Sequence, residues 1–431
     1  MQIKRLTPPK NNNKLQGPVT VIDSPMGVGK TTYMINHVRL NKEQPHLIAT
    51  PYDKEMSRWD DSIEHLERPS TEYKETLLED LKELLANKKS IITSHKLFTM
   101  MDKDCFDLIR QAKYTLIIDE TLECISTLNH HSHDIDALIE LNKITLTQGI
   151  VFEHLEWHDM KYKGNMAKSI KTSILSQEVV VSSGSYFNVM KPQRIKSFTN
   201  VYVLTYMFET SKMESYFRLK GIDIPYEKFS VSGNKLVNYR DPMGTSYKEL
   251  INIHNTGTTN LKRLNKLSKY TLSYSFYNKA SASSLKRIST TTRAYFDDFD
   301  TDRTLNMYTV FKEWEPKIST HRFKKMEKGS NGKKHNSCFV SLNARATNNY
   351  QHKTRLAYLV NRFMNPVTSN LITKYGSSID NDGYALSELI QWIFRSAIRN
   401  NQPISLFIPS KRMRNLLIKW LDGESLETPQ K

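Results

Sequence analysis

From Val19 onwards, short apolar runs alternate with amphipathic stretches. Val19–Asp23 predicts a strand, Thr31–Leu40 a helix and His46–Thr50 a second strand. Within Thr71–Asn87, Leu77, Leu78, Leu81, Leu84 and Leu85 share one face at helical spacing, the signature of a surface helix with one buried stripe. Ser90–Ser94 and Tyr114–Asp119 return to the strand pattern. Parallel strands need a long crossover between them, and a helix is the compact crossover. Strand–helix alternation therefore predicts a parallel sheet covered by helices on both faces.

The stretch from Glu123 to about Glu178 is less regular, with a His-rich segment (His130, His131, His133), a short helix near Ile135–Leu141 and a strand-like Ile144–Phe152. Three histidines with no Cys or carboxylate at fixed spacing do not make a metal motif. Val179–Val181 and Val201–Phe208 are expected as later strands of the first sheet. A helix Ser211–Lys220 follows, stopped by Gly221. After a connector with short strands, Tyr270–Tyr277 opens a second alternating block. That block has a helix near Leu285–Phe299, a strand Cys338–Leu342, helices near Thr354–Phe363 and Ala385–Arg399, a strand Ile404–Ile408 and a helix Lys411–Leu421. The expected organisation is two α/β domains, 1–220 and 266–431, joined by a connector 221–265, which suits a chain of 431 residues.

Composition narrows the class. A hydrophobic content of 38% with 10% aromatics is enough for packed cores. Lys and Arg number 62 against 45 Asp and Glu, a net charge of +17, and such an excess attracts polyanions, nucleic acid first among them. Cys105, Cys124 and Cys338 are widely separated, which argues against a disulfide scaffold or a zinc module and fits a reducing cytoplasm. Met1–Lys14 has no apolar signal core, and no run reaches the roughly 20 apolar residues of a membrane-spanning helix, so no membrane partner is expected.

Ser24-Pro25-Met26-Gly27-Val28-Gly29-Lys30-Thr31 follows one strand and opens one helix, the context of a Walker A phosphate loop. Gly27 and Gly29 let backbone N–H groups around Val28 turn toward a phosphate where a Cβ would crowd it. Lys30 supplies a charge for the β- and γ-phosphates of ATP, the hydroxyl of Thr31 a ligand for Mg²⁺, and the helix start through Thr32 a favourable dipole end. The first position is Ser24 rather than Gly, a departure small enough for the loop to survive. Downstream, Thr115–Asp119 is an apolar strand ending in Asp119-Glu120, the form of a Walker B strand. Asp119 would hold Mg²⁺ through water, and Glu120 would orient and deprotonate the attacking water.

Lys30, Asp119 and Glu120 together resemble motifs I and II of superfamily 2 helicases. The loop is similar to that of the herpesvirus origin-binding helicases, and the C-terminal half resembles helicases of bacteriophages. The resemblance spans most of the chain. It implies two RecA-like P-loop NTPase domains, parallel sheets flanked by helices, with ATP and Mg²⁺ in the cleft between them. Ala49-Thr50-Pro51-Tyr52 resembles motif Ia and Thr93-Ser94-His95-Lys96-Leu97-Phe98 motif Ib, loops that hold one nucleic-acid strand in that family and so make Thr50, Pro51, Tyr52, Ser94, His95 and Lys96 candidate strand contacts; hydroxyls, backbone N–H groups and Lys96 suit phosphate contacts and Tyr52 suits base stacking. For motif III the candidates are Val181-Ser182-Ser183 and Leu204-Thr205-Tyr206, with Thr205 favoured. Asn343-Ala344-Arg345-Ala346-Thr347-Asn348 resembles motif V, making Asn343, Arg345 and Thr347 further strand contacts, and Tyr270–Tyr277 occupies the place of motif IV.

Gln391, Arg395 and Arg399 recur at every fourth position of the expected helix Ala385–Arg399 and so share a face. The segment resembles motif VI, whose arginines stabilise charge in the transition state, although the arginine spacing is four rather than three. His321–His335 gathers six lysines and arginines with two glycines, either a solvated loop or a hairpin that touches the phosphate backbone or separates strands. The implied protein is a monomeric ATP-driven motor in the cytoplasm (the host's, for a phage-encoded chain), on single-stranded or forked nucleic acid, DNA ahead of RNA, with replication proteins as company. The rivals are a duplex translocase, an ATP-switched origin-binding or loading factor, and an RNA helicase.

Overall fold

The computed structural model describes residues 17–51, 53–128, 132–149, 151–161, 167–240, 244–254, 269–299, 301–328, 334–342 and 349–424. Contacts divide the chain into two compact units. One comprises Met1–Asp23, Lys30–Thr205 and Tyr216–Asn238; the other comprises Ser24–Gly29, Tyr206–Ser215 and Tyr239–Lys431.

The first unit is built on strands β1 (Val19–Asp23), β2 (His46–Thr50), β3 (Leu66–Glu67), β4 (Ser90–Ser94) and β5 (Thr115–Asp119). An inserted set follows, β6 (Ile125–Thr127), β7 (Ile144–Gln148), β8 (Glu153–Trp157), β9 (Glu178–Ser182) and β10 (Ser185–Val189). The unit closes with β11 (Asn200–Thr205), β12 (Tyr226–Ser232) and β13 (Lys235–Asn238). The main sheet runs β13-β12-β1-β11-β5-β2-β4-β3, parallel throughout except for the edge strand β13. Every residue of β2 and β5 is buried, as expected of central strands covered on both faces. One face is filled by Ile22, Met34, Ile48, Trp59, Ile92, Ile117 and Leu204.

Between β5 and β11 stands a separate antiparallel sheet, β6-β10-β9-β8-β7, with its own core around Ile135, Ile144, Leu155, Ile170, Ile174 and Val179. Here the sequence reading needs correction. Val179–Val181 is not a strand of the first sheet: Ser183 and Gly184 both adopt positive φ, which is the hairpin geometry that folds β9 back onto β10. The expected helix Thr71–Asn87 is confined to Leu77–Ala86, because Thr76 and Glu79 form a reciprocal capping box that fixes its start.

The second unit holds β14 (Ile251–Ile253), β15 (Asn306–Thr309), a two-stranded hairpin β16 (Met326–Lys328) and β17 (Lys334–Asn336), then β18 (Arg355–Tyr358) and β19 (Ile404–Phe407). Its sheet is parallel in the order β14-β19-β18-β15. Alternate residues of one strand serve opposite cores. Met307, Leu356 and Leu406 pack with the helix Asn381–Ile393, whereas Tyr308, Ala357 and Phe407 pack with the helix Ala282–Asp297. The stretch predicted as a helix near Thr354–Phe363 is therefore the central strand β18. Burial on both faces gives it a continuous apolar run with no period of two to read. Cys338–Leu342, expected as a strand, makes one isolated bridge, Phe339 to Tyr308. Tyr270–Tyr277 leads into a helix, Tyr274–Lys279, capped by Ser273. No helix among the described residues is long and apolar enough to cross a membrane, and Cys105, Cys124 and Cys338 are buried and free.

Candidate active site

In the main sheet β11 lies between β1 and β5, so the carboxyl ends of β1 and β5 are two strand spacings, roughly 10 Å, apart. The chain reverses its winding direction there, and open α/β sheets place ligands outside the carboxyl ends at such a point. The site's residues emerge at that edge: Asp23 pairs in register with Thr205, and Leu204 with Asp119.

After β1 the backbone makes the turn Ser24–Gly29 with φ of 89° at Gly27 and 98° at Gly29, values that favour glycine. A Cβ on Gly29 would meet nothing within 4 Å, so its glycine is required by the dihedral. Ser24 is buried, and Val28 is exposed. Lys30 is the first residue of the helix Lys30–Leu40, whose first turn carries no acid to compete for the positive end of its dipole. Thr32, one turn position on, accepts a bond from Arg58 at 2.9 Å.

Thr31 donates through Oγ1 to Oδ2 of Asp119 at 3.4 Å. Asp119 also receives the indole N–H of the fully buried Trp59 at 3.3 Å. Burial pushes the Asp119 carboxyl up to about 6; the neighbouring Glu120 adds to the rise, while the Trp59 bond and the Lys30 and Arg58 charges oppose it. A hydroxyl beside a buried carboxylate that also faces the Glu120 charge fits a divalent cation, which would be held by Thr31 and Asp119 together with nucleotide phosphates. Among the described residues there is no cluster of three or more His, Cys, Asp or Glu able to hold a metal without such phosphates. Glu120 adopts φ 65°, the left-handed region, and its N–H bonds to Leu204 O at 2.9 Å. A non-glycine residue there stores of order 1–3 kcal/mol, and such positions cluster at functional sites. Sequence reading missed Trp59 and Arg58. The available signal was the spacing of Met56 and Trp59, which marks the buried face of the helix Asp53–Asp60, with Ile63 buried just beyond it.

In a comparison of family models, residues 245–421 match the YonV C-terminal Rossmann-like domain. The SPbeta prophage-derived uncharacterized protein YonV of Bacillus subtilis (strain 168) is 33% identical over 435 residues, covering 94% of this chain and 99% of that protein. The chain belongs to the YonV family. Among solved structures, S. tokodaii Xpd4 superposes with a TM-score of 0.50 at 13% identity over 96% of each chain, which supports a shared two-domain α/β fold. The DUF1998 helicase MrfA bound to DNA and AMPPNP aligns over 95% of this chain and 49% of its own length, at 9% identity and a TM-score of 0.35, too weak a likeness to bear on the argument.

In this YonV-family chain the polar row Gln391, Arg395 and Arg399 does not lie on one helix. The helix ends at Ile393; Ser396 turns extended, its Oγ donating to Ile393 O at 2.6 Å, and Arg399 sits in the 3-10 turn Ala397–Asn400. Gln391 spends its amide on Ser387 within the helix. Arg395 is buried and donates to the carbonyls of Ser341 and Leu342 at 3.3 and 3.5 Å. Arg399 lies beside the phosphate loop: a Cβ on Gly27 would be 4.0 Å from both its Cγ and its carbonyl oxygen.

Thr50 ends β2 and is buried, with Pro51 half-buried after it. Ser94 caps the helix His95–Met100, accepting from Leu97 N at 3.1 Å, so its hydroxyl is held by that bond; Lys96 is exposed, and His95 is half-buried. Thr205 ends β11 at the site edge, and Tyr206 OH accepts the Trp420 indole at 3.0 Å; Ser182 ends β9 of the inserted sheet and Ser183 lies in the hairpin turn after it. Tyr52, His130, His131, Asn343, Arg345 and Thr347 lie outside the described residues.

Proposed function

We propose that this YonV-family protein is an ATP-dependent nucleic-acid translocase or helicase of the superfamily 2 type, acting on DNA in phage replication or recombination. One observation carries the reading. A positive-φ phosphate loop delivers Lys30 and Thr31 to a buried Asp119, followed by Glu120 in a left-handed conformation at the same sheet edge. When bound, Mg²⁺ and ATP supply the electrophilic phosphoryl group. The protein's part is to cradle the phosphates with the loop N–H groups and Lys30, to orient the metal with Thr31 and Asp119, and to place and deprotonate water with Glu120. The net charge of +17 supports a polyanionic track, and the prophage origin in the B. subtilis relative's name supports the phage setting. The herpesvirus-type likeness stands on the loop residues alone.

Of the two arginines, Arg399 is the proposed finger, a reading supported by the closeness of its Cγ to Gly27, and Arg395 is proposed to brace 341–342, supported by its bonds to those carbonyls. ATP turnover and thermal unfolding of the two alanine variants test this. Arg399→Ala is expected to lower kcat by about 10³–10⁵ with stability nearly unchanged. Arg395→Ala is expected to lose on the order of 2 kcal/mol of stability through its charge-assisted bonds. Normal turnover by Arg399→Ala would remove the finger. Strand displacement on a forked substrate separates unwinding from the alternatives: a motor that translocates without it is the duplex translocase, and nucleotide-dependent binding with slow turnover is the ATP-switched loader.

A further inference from the structure

The hairpin β16–β17 in the second unit takes no part in the ATP chemistry. Its segment, His321–His335, carries six lysines and arginines against the single Glu327. The base is rigid. Phe323 is fully buried and packs on Phe296 and Tyr308, ring centroids 5.5 and 5.1 Å away. Asn336 Nδ2 donates to Tyr308 OH at 2.6 Å and to Glu315 Oε1 at 2.9 Å, and Ser337 N donates to Lys325 O at 2.8 Å. The blades beyond this base are exposed.

The register places Lys328 directly opposite Lys334, with Met326 opposite Asn336 on the same face and Glu327 opposite His335 on the other. Like charges facing each other across an antiparallel pair destabilise it. Glu327 does not relieve them, since its carboxylate is taken by Lys325 at 3.3 Å. Among the described residues neither Lys328 nor Lys334 has a carboxylate partner. Met326, half-exposed, adds an apolar surface beside the two ammonium groups. An exposed ribbon that presents two facing ammonium groups beside an apolar side chain, with no further donors converging on them among the described residues, suits the repeating charges of a linear polyanion better than a compact anion, which calls for donors gathered around one point.

We infer that this hairpin binds the phosphate backbone of a nucleic-acid strand through Lys328 and Lys334. The inference rests on the reading of the chain as a nucleic-acid motor. It is tested by fluorescence anisotropy of labelled single-stranded DNA, duplex DNA and RNA with the full chain across a salt series. Lys328→Ala, Lys334→Ala, the double variant, the double Lys→Arg variant and the control Lys42→Ala are compared. On single strands each hairpin alanine is expected to flatten the slope of log affinity against log salt by about 0.7, and the double variant by about twice that. Affinity in moderate salt is expected to fall several-fold, with the arginine variant and Lys42→Ala matching the wild type. If the wild type binds and the double alanine variant keeps its slope and affinity, the hairpin assignment is overturned while the motor reading stands. A wild type that binds none of the three polymers overturns both.

Discussion

Asp119 is a carboxylate held where the fold disfavours its charge, and this has a measurable sign. Its pKa of about 6 lies above the ordinary 3.8, so the ionised form destabilises the folded state; the cost is absent below pH 3.8 and fully developed above about pH 6. Asp119→Asn is therefore expected to be more stable than the wild type at neutral pH in Mg²⁺-free buffer, by roughly 1–3 kcal/mol and with a higher melting temperature, the gap closing as pH falls toward 4. A variant that melts lower at neutral pH contradicts the charge argument. Trp59 aims this carboxylate. Losing one such supporting bond typically weakens metal binding 10–100-fold. Trp59→Phe, which keeps the apolar body, is expected to raise the Mg²⁺ concentration for half-maximal ATP turnover about tenfold; an unchanged requirement would make Trp59 a packing residue only.

At the scale of elements, what was legible followed from periodicity and from glycine. β1, β2, β4 and β19 stand where short apolar runs place them, and the phosphate loop was readable because Gly27 and Gly29 are bracketed by a strand and a helix. β18 was misread because Leu356–Val360 is apolar on both faces, leaving length and neighbours as the only guides. The helix carrying Gln391 was overextended because Ser396, which ends it, looks like any polar surface residue; its bond to Ile393 O is invisible in sequence. Trp59 escaped for a related reason: an indole on a buried helix face reads as core, and only the fold brings Asp119 to it. Close approach is equally silent. A Cβ on Gly244 would collide with the Trp420 ring, which stacks on Tyr247 at 6.0 Å. Gly244→Ala is expected to destabilise the chain by about 1–3 kcal/mol in thermal unfolding, as overpacking does; an unchanged midpoint would show that the ring yields freely.

For the whole molecule, charge, two parallel sheets and a phosphate loop converge on one reading, and each alone is weaker than the set. The α/β class with parallel sheets flanked by helices was readable from strand–helix alternation; the antiparallel insertion β6–β10 was not, because the helices Ser132–Glu140 and Lys168–Ser176 between its short strands continue the same alternation. On the proposed reading, ATP hydrolysis at Lys30 is coupled to nucleic acid. Steady-state ATPase rates of the wild type and Lys30→Ala, without polymer and with single-stranded DNA, duplex DNA or RNA, test it most directly. The expected result is wild-type turnover stimulated by at least one polymer, DNA first, and abolished in Lys30→Ala under every condition. Wild-type turnover that ignores all three polymers, or activity that survives in Lys30→Ala, would contradict it.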